Sequence, residues 1–375
     1  MDHHLKNDTI PFKTIVIVGV GLIGGSLGQA IRRKHSNARI IGVSSPGAIT
    51  SAIDIGAVTE GCGYDELSNV AKEADLIFLC TPIHRIQGLL TVLATSLKAG
   101  VTITDVGSTK SEITAHAEEV LSPDVHFIGG HPMAGAEVSG VQASDPFLFQ
   151  NAMYVLTPAS GVPDSLIEKF SAFLIDALGA RVAVIDATLH DRIAATVSHL
   201  PQIIAVTLIN MVAGLDADNG QYMKLAAGGF RDMTRIASSP FSMWDDVCRT
   251  NQHAISEAVD LFIDRLRQIQ RRVGSTSLSG DFEVANIRRA AIPRTAKGFI
   301  RTLSEIMVVV EDMPGVIADI ATACSERDLN IKDIEVVKVR EGEGGTLRLA
   351  FEREDEALDA VEHLTERGYT ARMRR

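Results

Sequence analysis

The chain has 375 residues, a length that usually holds two or three domains. Its formal net charge of −11 argues against nucleic acid or an anionic membrane as a main partner. The segment 1–8 is polar and lacks the apolar core of a secretory signal. The cysteines lack the spacing of metal ligands or of a disulfide framework: Cys62, Cys80, Cys248 and Cys324. We therefore expect a cytoplasmic protein without a metal centre.

In the first part of the chain, short apolar runs alternate with helical patterns. The predicted strands are Thr14–Val18, Arg39–Val43, Leu76–Cys80, Val101–Asp105, His126–Ile128 and Ala152–Leu156. Parallel neighbours need a crossover connection, so strands separated by helices indicate a parallel sheet. The pattern predicts an α/β domain with a doubly wound, Rossmann-type sheet over residues 12–163.

Strand signals nearly stop after residue 163, apart from Val182–Ile185. Helical patterns then predict a mainly helical second domain over residues 164–294, in which the Gly/Ser-rich segment 274–280 has the composition of a flexible linker. Residues 298–375 show the order βαββαβ, which predicts a small ferredoxin-like unit.

One part of the helical region imitates a membrane span. The stretch from Ile193 to Leu215 is mostly apolar, but it contains polar residues and a proline that are costly in lipid: Ser198, His199, Pro201, Gln202 and Asn210. We interpret it as a buried helix at a domain or subunit interface, and we expect no membrane partner.

The turn after the first strand has the pattern of a dinucleotide-binding loop. Gly19 permits a tight turn, Gly21 lets backbone approach a pyrophosphate, and Gly24 allows the helix to pack closely on the strand. Leu22 and Ile23 open the helix whose N-terminus faces the anion. The alternative is a glycine-rich turn that binds no nucleotide.

The end of the second strand normally carries a carboxylate that reads the ribose of NAD. This chain has Ser44 and Ser45 there, whose hydroxyls can bond to a 2′-phosphate, so NADP is slightly favoured over NAD. Thr81 and Pro82, which follow the strand Leu76–Cys80, complete the residues expected to bind the cofactor.

Two further positions lie at carboxyl ends of strands, where such sheets bind ligands. Ser108 can hydrogen-bond a substrate hydroxyl, although Thr109 and Glu112 nearby also fit a helix capping box. His131 can take a proton from an alcohol while hydride leaves the same carbon, so kcat/KM should rise with pH through a group near neutrality. The alternative for His131 is a structural role in a loop.

Two residues of the helical region have weaker signals when taken alone. His199 lies in an apolar helix, where a satisfied buried histidine is as good an explanation as a ligand. Arg235 follows a glycine-rich turn and can hold a carboxylate with two hydrogen bonds, although a surface ion pair is the commoner role.

These segments, in this order, resemble the prephenate/arogenate dehydrogenase family of tyrosine biosynthesis. The matching segments are Gly19–Gly25, Gly107–Lys110, Gly130–Glu137, His190-Asp191, Ser198–Pro201, Asp232 with Arg235, and Trp244. The C-terminal unit resembles an ACT domain, a common amino-acid-sensing module, through Asp312-Met313-Pro314-Gly315-Val316 and Asn330-Ile331.

The resemblance implies a role for each matching residue. His131 is then the catalytic base on the substrate C4 hydroxyl, and Ser108 holds that hydroxyl. Arg235 then binds a carboxylate of the substrate, and Asp232 supports Arg235. His199 lines the substrate pocket, and Glu137 acts as a gate at its mouth. The helical substrate domains pair into a homodimer in this family, and Trp244 can approach the partner's site.

The implied reaction is the NAD- or NADP-dependent oxidative decarboxylation of prephenate to 4-hydroxyphenylpyruvate, or of arogenate to tyrosine. The ACT resemblance implies an amino-acid effector, for which we expect tyrosine, held near Asp312, Pro314, Gly315 and Asn330. Two other functions compete: a β-hydroxyacid dehydrogenase, and a non-catalytic sensor of dinucleotide and amino acid. The first leaves the His131-Pro132 segment unexplained.

Overall fold

A computed structural model describes residues 10–135, 138–216, 220–290, 303–311, 313–340 and 344–374. The chain forms two compact units, which divide between Asn286 and Ile287. Each unit has its own apolar core, so the two are described separately.

The first unit is built on one eight-stranded sheet. Its strands are β1 (Thr14–Val18), β2 (Arg39–Val43), β3 (Glu60–Cys62), β4 (Leu76–Leu79), β5 (Thr102–Asp105), β6 (His126–Pro132), β7 (Met153–Pro158) and β8 (Arg181–Val184). Their order is β3-β2-β1-β4-β5-β6-β7-β8, and all neighbours are parallel except β6 and β7. The carboxyl ends of β1, β2, β4, β5 and β6 therefore meet at one edge, called here the carboxyl edge.

Helices cover both faces of the sheet, which explains why the central strands are almost wholly apolar. These helices are α1 (Leu22–Lys34), α2 (Pro46–Asp54), α3 (Leu67–Ala71), α4 (Ile83–Leu93), α5 (Ser111–Val120) and α6 (Asp164–Leu178). Leu27 and Ile31 of α1 pack with Phe170 of α6 in one core, and Ile86 and Leu90 of α4 belong to the core on the other face.

The predicted Rossmann-type sheet is confirmed, with three differences. The edge strand β3 escaped prediction because it has only three residues and includes a glycine. Strand β7 runs antiparallel to β6, so the sheet is not wholly parallel. Strand β8 pairs with β7, so the sheet continues beyond residue 163, where we predicted the first domain to end.

Helices follow the sheet in the chain. They are α7 (Ala187–Ala194), α8 (Leu200–Asp216), α9 (Gly228–Thr234), α10 (Asp245–Thr250), α11 (Gln252–Gln270) and α12 (Ser279–Ala290). A π-helical turn, Ala195–His199, joins α7 to α8 without a break. The segment predicted as a flexible linker is instead ordered: Ser275 caps a short turn at Thr276–Leu278, and α12 starts at once.

The continuous helix Ala187–Asp216 is long and apolar enough to cross a membrane by length and composition, a test that core helices of globular proteins also pass. Only 22% of its most apolar stretch is buried inside this chain. The predicted helix is thus present, but its apolar surface is mostly not covered by its own chain.

The second unit has the predicted ferredoxin-like order. Its elements are β9 (Ser304–Val310), α13 (Val316–Glu326), β10 (Asp333–Arg340), β11 (Gly344–Phe351), α14 (Glu354–Glu366) and β12 (Thr370–Met373). The antiparallel sheet has the order β10-β11-β9-β12. Ile306, Val308, Leu349 and Phe351 on one face of the sheet pack against Ile320 of α13.

Candidate active site

The glycine loop after β1 leaves room for a dinucleotide at the carboxyl edge. Gly19 has φ = +93°, and a Cβ there would lie 2.6 Å from the carbonyl oxygen of Cys80. A Cβ on Gly24 would overlap the carbonyl oxygen of Gly19. At Gly21, by contrast, a Cβ would meet nothing within 4 Å. Two glycines thus close the turn, and the third opens it where a pyrophosphate can approach the N-terminus of α1.

The other expected cofactor residues differ in exposure. Ser44 is buried at the end of β2, whereas Ser45 is exposed and precedes α2. Thr81 is buried, and its hydroxyl has no hydrogen-bond partner among the described residues. Pro82 follows Thr81 and immediately precedes α4. A buried hydroxyl without a partner among the described residues, beside a glycine turn that is open at Gly21, fits a dinucleotide ligand. Ser45 is better placed than Ser44 to reach a 2′-phosphate, because it is exposed.

A buried ion pair ties two strands together beneath the carboxyl edge. Lys110 and Asp105 are fully buried and form a direct ion pair. The Lys110 ammonium also donates to the carbonyl oxygen of Gly130 at 2.8 Å, and Asp105 accepts from the backbone N–H of Gly130 at 3.1 Å. Burial lowers the pKa of Lys110, against the opposing effect of Asp105. The pair fixes β6 immediately before His131.

His131 ends a chain of hydrogen bonds that leads to a buried carboxylate. Its Nδ1 lies 2.8 Å from Nε2 of His190, and Nδ1 of His190 lies 2.8 Å from Oδ1 of Asp191. Asp191 also accepts the backbone N–H groups of Lys110 and Ser111, each at 2.8 Å. Because His190 and Asp191 are 3% and 4% exposed, water competes little for these bonds.

Burial sets the charge of these groups. Desolvation, with the nearby His190 and Lys110, holds the pKa of His131 well below its usual value of 6.5. Burial acts to raise the pKa of Asp191, but hydrogen bonds from His190, Ser111 and Lys110 outweigh it and lower that pKa. At neutral pH, His131 is therefore a neutral base and Asp191 is an anion. This direction differs from our expectation of a His131 group that titrates near neutrality, and the pH profile of kcat/KM tests the two against each other.

His199 lies at the end of the π-helical turn and is 3% exposed. Desolvation by burial lowers its pKa to about 4, so its ring is neutral. The Asn251 amide donates to the backbone oxygen of Asp191 at 2.9 Å and lies 3.2 Å from Nδ1 of His199. A carbonyl oxygen can only accept, so the amide presents its NH₂ group and His199 carries its proton on Nε2. Trp244 of the same chain packs edge-on against this ring, with 5.9 Å between ring centroids.

Ser108 is half-buried in the loop between β5 and α5, and its hydroxyl has no hydrogen bond to another described residue. The competing capping box is not formed. Thr109 instead bonds the hydroxyl of Thr250 at 2.7 Å, and the Asp191 carboxylate caps the first N–H groups of α5. The geometry leaves Ser108 free to bind a ligand.

Arg235 and Asp232 lie near α8, on a turn that packs against that helix. Both side chains are exposed, and no ion pair joins them to each other or to any other residue in the described ranges. The expected support of Arg235 by Asp232 is therefore not formed in this structure. Glu137 lies outside the described residues.

In the second unit, Pro314 and Gly315 line a cavity of about 600 Å³ between the end of β9, the start of α13 and β11. Gly315 has φ = +96°, a conformation that favours glycine. Asn330 is exposed and does not line this cavity, while Asp312 lies outside the described residues.

A dinucleotide loop and a neutral histidine at the same sheet edge define a nicotinamide-dependent dehydrogenase. The domains of one such family match in order: residues 27–184 match the nucleotide-binding domain of prephenate dehydrogenase, residues 186–284 its dimerization domain, and residues 304–364 an ACT domain. The chain belongs to the prephenate dehydrogenase family.

Individual relatives agree over most of their length. A prephenate dehydrogenase of Bacillus subtilis is 34% identical over 92% of this chain and 93% of its own. The crystal structure of prephenate dehydrogenase from A. aeolicus, in complex with hydroxyphenyl propionate and NAD+, covers 76% of this chain and all of its own, with a TM-score of 0.70 and 28% identity. Arogenate dehydrogenase of Synechocystis covers 75% of this chain and all of its own, with a TM-score of 0.68 and 31% identity.

Several residues of the site escaped the sequence reasoning. Lys110, His190, Asp191 and Asn251 were not among the predicted site residues, although the adjacent His190 and Asp191 form part of the family resemblance. Their contacts join residues that are far apart in the sequence; Lys110 and Asp191, for example, are separated by 81 residues. Spacing within the sequence carries no signal for such contacts.

Proposed function

We propose that this protein catalyses the oxidative decarboxylation of prephenate to 4-hydroxyphenylpyruvate. The observation that carries the proposal is the neutral His131 at the carboxyl edge, on a strand parallel to those beside the dinucleotide loop. The similarity to the B. subtilis prephenate dehydrogenase supports this choice of substrate. We further propose that the sheet domain extends through β8 and the helical domain begins after it.

The residues present suit this chemistry. Nε2 of His131 accepts the proton of the C4 hydroxyl, and the hydroxyl oxygen is held by Ser108. A bound nicotinamide would supply the acceptor for the hydride that leaves C4. The ring carboxylate leaves as CO2, and its bonding electrons make the ring aromatic. His131 returns its proton to the phenolic oxygen, so the step needs only positioning and one base.

The other side chains have proposed roles in substrate binding. Arg235 binds a carboxylate of the substrate, and its lack of an ion pair within the described residues leaves its guanidinium available. His199 and Trp244 form one wall of the pocket, with Nε2 of His199 as a donor. Asp232 and Glu137 keep the roles of support for Arg235 and gate to the pocket as predictions.

A direct assay tests this function. The protein is mixed with prephenate or with arogenate, each with NAD+ or NADP+, and the absorbance of the reduced nicotinamide is followed. We expect turnover of prephenate, and the similarity to the Synechocystis arogenate dehydrogenase makes arogenate the second candidate. A protein that binds dinucleotide but turns over neither substrate would be a sensor rather than an enzyme.

The choice between NAD and NADP is a separate proposal. No carboxylate occupies the end of β2, and the exposed Ser45 offers a hydroxyl there, so we expect NADP+ to be used at least as well as NAD+. Ser45→Asp should lower kcat/KM for NADP+ more than for NAD+ by charge repulsion of the 2′-phosphate. Ser45→Asn, which adds similar volume without charge, is the control. A wild-type protein that strongly prefers NAD+ contradicts the proposal.

We propose that a second copy of the chain covers the exposed apolar surface of the helical region. Large apolar residues are more than half exposed on α8, α11 and α12: Met211, Leu215, Leu261, Leu266, Phe282 and Val284. Residues 186–284 match a dimerization domain, which supports a homodimer. The mass in solution, measured by light scattering, tests the homodimer.

We also propose that the protein is cytoplasmic, since the described cysteines are free thiols.

We propose that the cavity of the second unit binds an amino acid, with tyrosine as the first candidate, and that this binding lowers activity. The turn at Gly315 exposes backbone N–H groups at the start of α13, which suit a carboxylate. Inhibition requires that the ligand bind the less active state more tightly. Activity is measured against tyrosine in the full chain and in a chain shortened to residues 1–290. Identical curves would remove the regulatory role.

A further inference from the structure

The base His131 does not stand alone: its Nδ1 is held by a two-residue relay, His190 and Asp191, that no solvent reaches easily. We infer that His190 and Asp191 are positioning residues that fix the tautomer and the orientation of His131, so that the lone pair of Nε2 faces the substrate hydroxyl. The inference rests on the proposed function only for the identity of that hydroxyl; the tautomer itself is a property of the free protein.

The direction of the hydrogen bonds follows from Asp191. Its two oxygens accept the backbone N–H groups of Lys110 and Ser111, which can only donate. Those bonds hold the carboxylate as an acceptor, so Nδ1 of His190 must carry the proton in the 2.8 Å contact between them.

The same logic then passes to His131. In the arrangement that we infer, His190 is neutral with its proton on Nδ1, so its Nε2 has a lone pair. That lone pair must accept from Nδ1–H of His131, 2.8 Å away. Neutral His131 therefore has Nε2 unprotonated, which is the form that can accept a proton from an alcohol. A cationic His190 would reverse the bond and place the proton of His131 on Nε2, where it blocks the reaction.

The relay also links the base to the loop that carries Ser108. The N–H groups that anchor Asp191 begin α5, two and three residues after Ser108. One carboxylate thus sets both the ring of His131 and the backbone that places the Ser108 hydroxyl. Misplacement of a reacting group by about 1 Å can lower the rate roughly a hundredfold. Because Asp191 holds both groups, it keeps His131 and Ser108 in a fixed geometry relative to each other.

The first test observes the tautomer without substrate or cofactor. The full-length protein is labelled with ¹⁵N-histidine, and two-bond ¹⁵N–¹H spectra are recorded at pH 7. The His131 signals are assigned by their loss in His131→Asn. We expect His131 to be neutral with its proton on Nδ1, and His190 likewise. A His131 protonated on Nε2, or a cationic His190, overturns the inference whatever the enzyme's activity.

The second test uses matched variants of His190. Gln places an amide oxygen near the former Nε2 and can still accept from His131, whereas Met has similar size and no strong acceptor. We expect His190→Met to lower kcat at least tenfold with little change in KM, and to lose the fixed tautomer in the spectra. His190→Gln should recover most of the rate and keep the proton of His131 on Nδ1. Equal rates for the two variants and the wild type overturn the inference.

Asp191→Asn removes the anionic acceptor at the far end of the relay. Oδ1 of Asp191 contacts both the Lys110 N–H and Nδ1 of His190, and Oδ2 accepts the Ser111 N–H, so an amide at this position must place its NH₂ group against at least one of these donors. The tautomer of His190, and with it that of His131, is then no longer fixed. We expect kcat to fall roughly 10²- to 10⁴-fold, the usual worth of a general base. Dinucleotide binding and thermal unfolding show whether the variant is folded. If it is not folded, the comparison of His190→Met with His190→Gln tests the inference instead. His253→Met, at an exposed position, is the control.

The outcomes separate this inference from the proposed function. A wild-type protein that shows the expected tautomer but oxidises neither prephenate nor arogenate supports the relay and contradicts the proposed function. A wild-type protein that oxidises prephenate while His190→Met is unimpaired supports the proposed function and contradicts the relay.

Discussion

The two halves of the candidate site are held in different ways. At the carboxyl edge, hydrogen bonds link His131, His190 and Asp191, and Lys110 forms a buried ion pair with Asp105. On the helical side, Arg235 is exposed and has no ion pair with the described residues. Buried polar groups must be fully paired to be tolerated, and pairing makes them rigid. An exposed cation remains solvated until a ligand arrives. In the proposed site, His131 is thus held in place before the substrate binds, whereas we expect Arg235 to become ordered only when it binds the substrate carboxylate.

His131→Asn gives the largest effect if this comparison is right. The variant should fold and bind dinucleotide normally, but lose roughly 10²- to 10⁴-fold in kcat because the base is gone. A variant with near-normal turnover would show that His131 is not the base.

The pH dependence of the wild type sharpens the same point. Burial lowers the pKa of His131 well below 6.5, so the neutral, active form is present through pH 6–8. We expect kcat/KM to be flat there and to fall only at more acid pH. A rise centred near pH 7 would show that His131 is far better solvated than the structure indicates.

Lys110→Met should cause the largest loss of stability. Asp105 would remain as a buried charge without its partner, and this typically lowers the free energy of unfolding by about 3–5 kcal/mol. Urea unfolding measures it. Lys34→Met is the matched control, because Lys34 pairs with Asp176 at the surface and such pairs contribute only about 0–1 kcal/mol. Equal losses in the two variants would contradict the role of the buried pair.

Acid should destabilise the protein through His199. Its folded-state pKa of about 4 lies below the ordinary 6.5, so between these values the unfolded chain binds more protons than the folded one. Stability is therefore lost as pH falls from 6.5 towards 4, by up to roughly 3 kcal/mol. In His199→Gln, the urea midpoint should change less over this range. His253→Gln, which is exposed, should behave like the wild type.

Sequence reasoning worked where a local pattern has a local cause. The strand β1, the glycine turn at Gly19 and the βαββαβ unit each depend on residues close in the chain, and all three are confirmed. Strand β3 is too short to show a pattern. The direction of β7 depends on how the chain returns to the sheet rather than on its own residues.

The relay shows the limit most clearly. His131 could be proposed as a base from its place after a strand, and Thr109 with Glu112 has the spacing of a capping box. The structure instead assigns the cap to Asp191, which is 80 residues from Ser111 in sequence. The pKa of His131 is lowered mainly by burial, with smaller effects of His190 and Lys110, and no short motif encodes that burial.

Arg235→Gln tests the less ordered half of the site and has the smallest expected effect. A charge-assisted hydrogen bond to a carboxylate contributes about 1.5–3 kcal/mol, so KM for prephenate should rise roughly 10- to 150-fold, with little change in the KM for dinucleotide. Arg235→Lys keeps the charge but loses the planar fork, so it should recover part of the affinity. Because no ion pair joins Asp232 to Arg235 in the described residues, Asp232→Asn should cost much less than Arg235→Gln. If Asp232→Asn raises the KM for prephenate as much as Arg235→Gln does, Arg235 is held in place before the substrate binds. The contrast between a base that is fixed in advance and an arginine that is not would then be wrong.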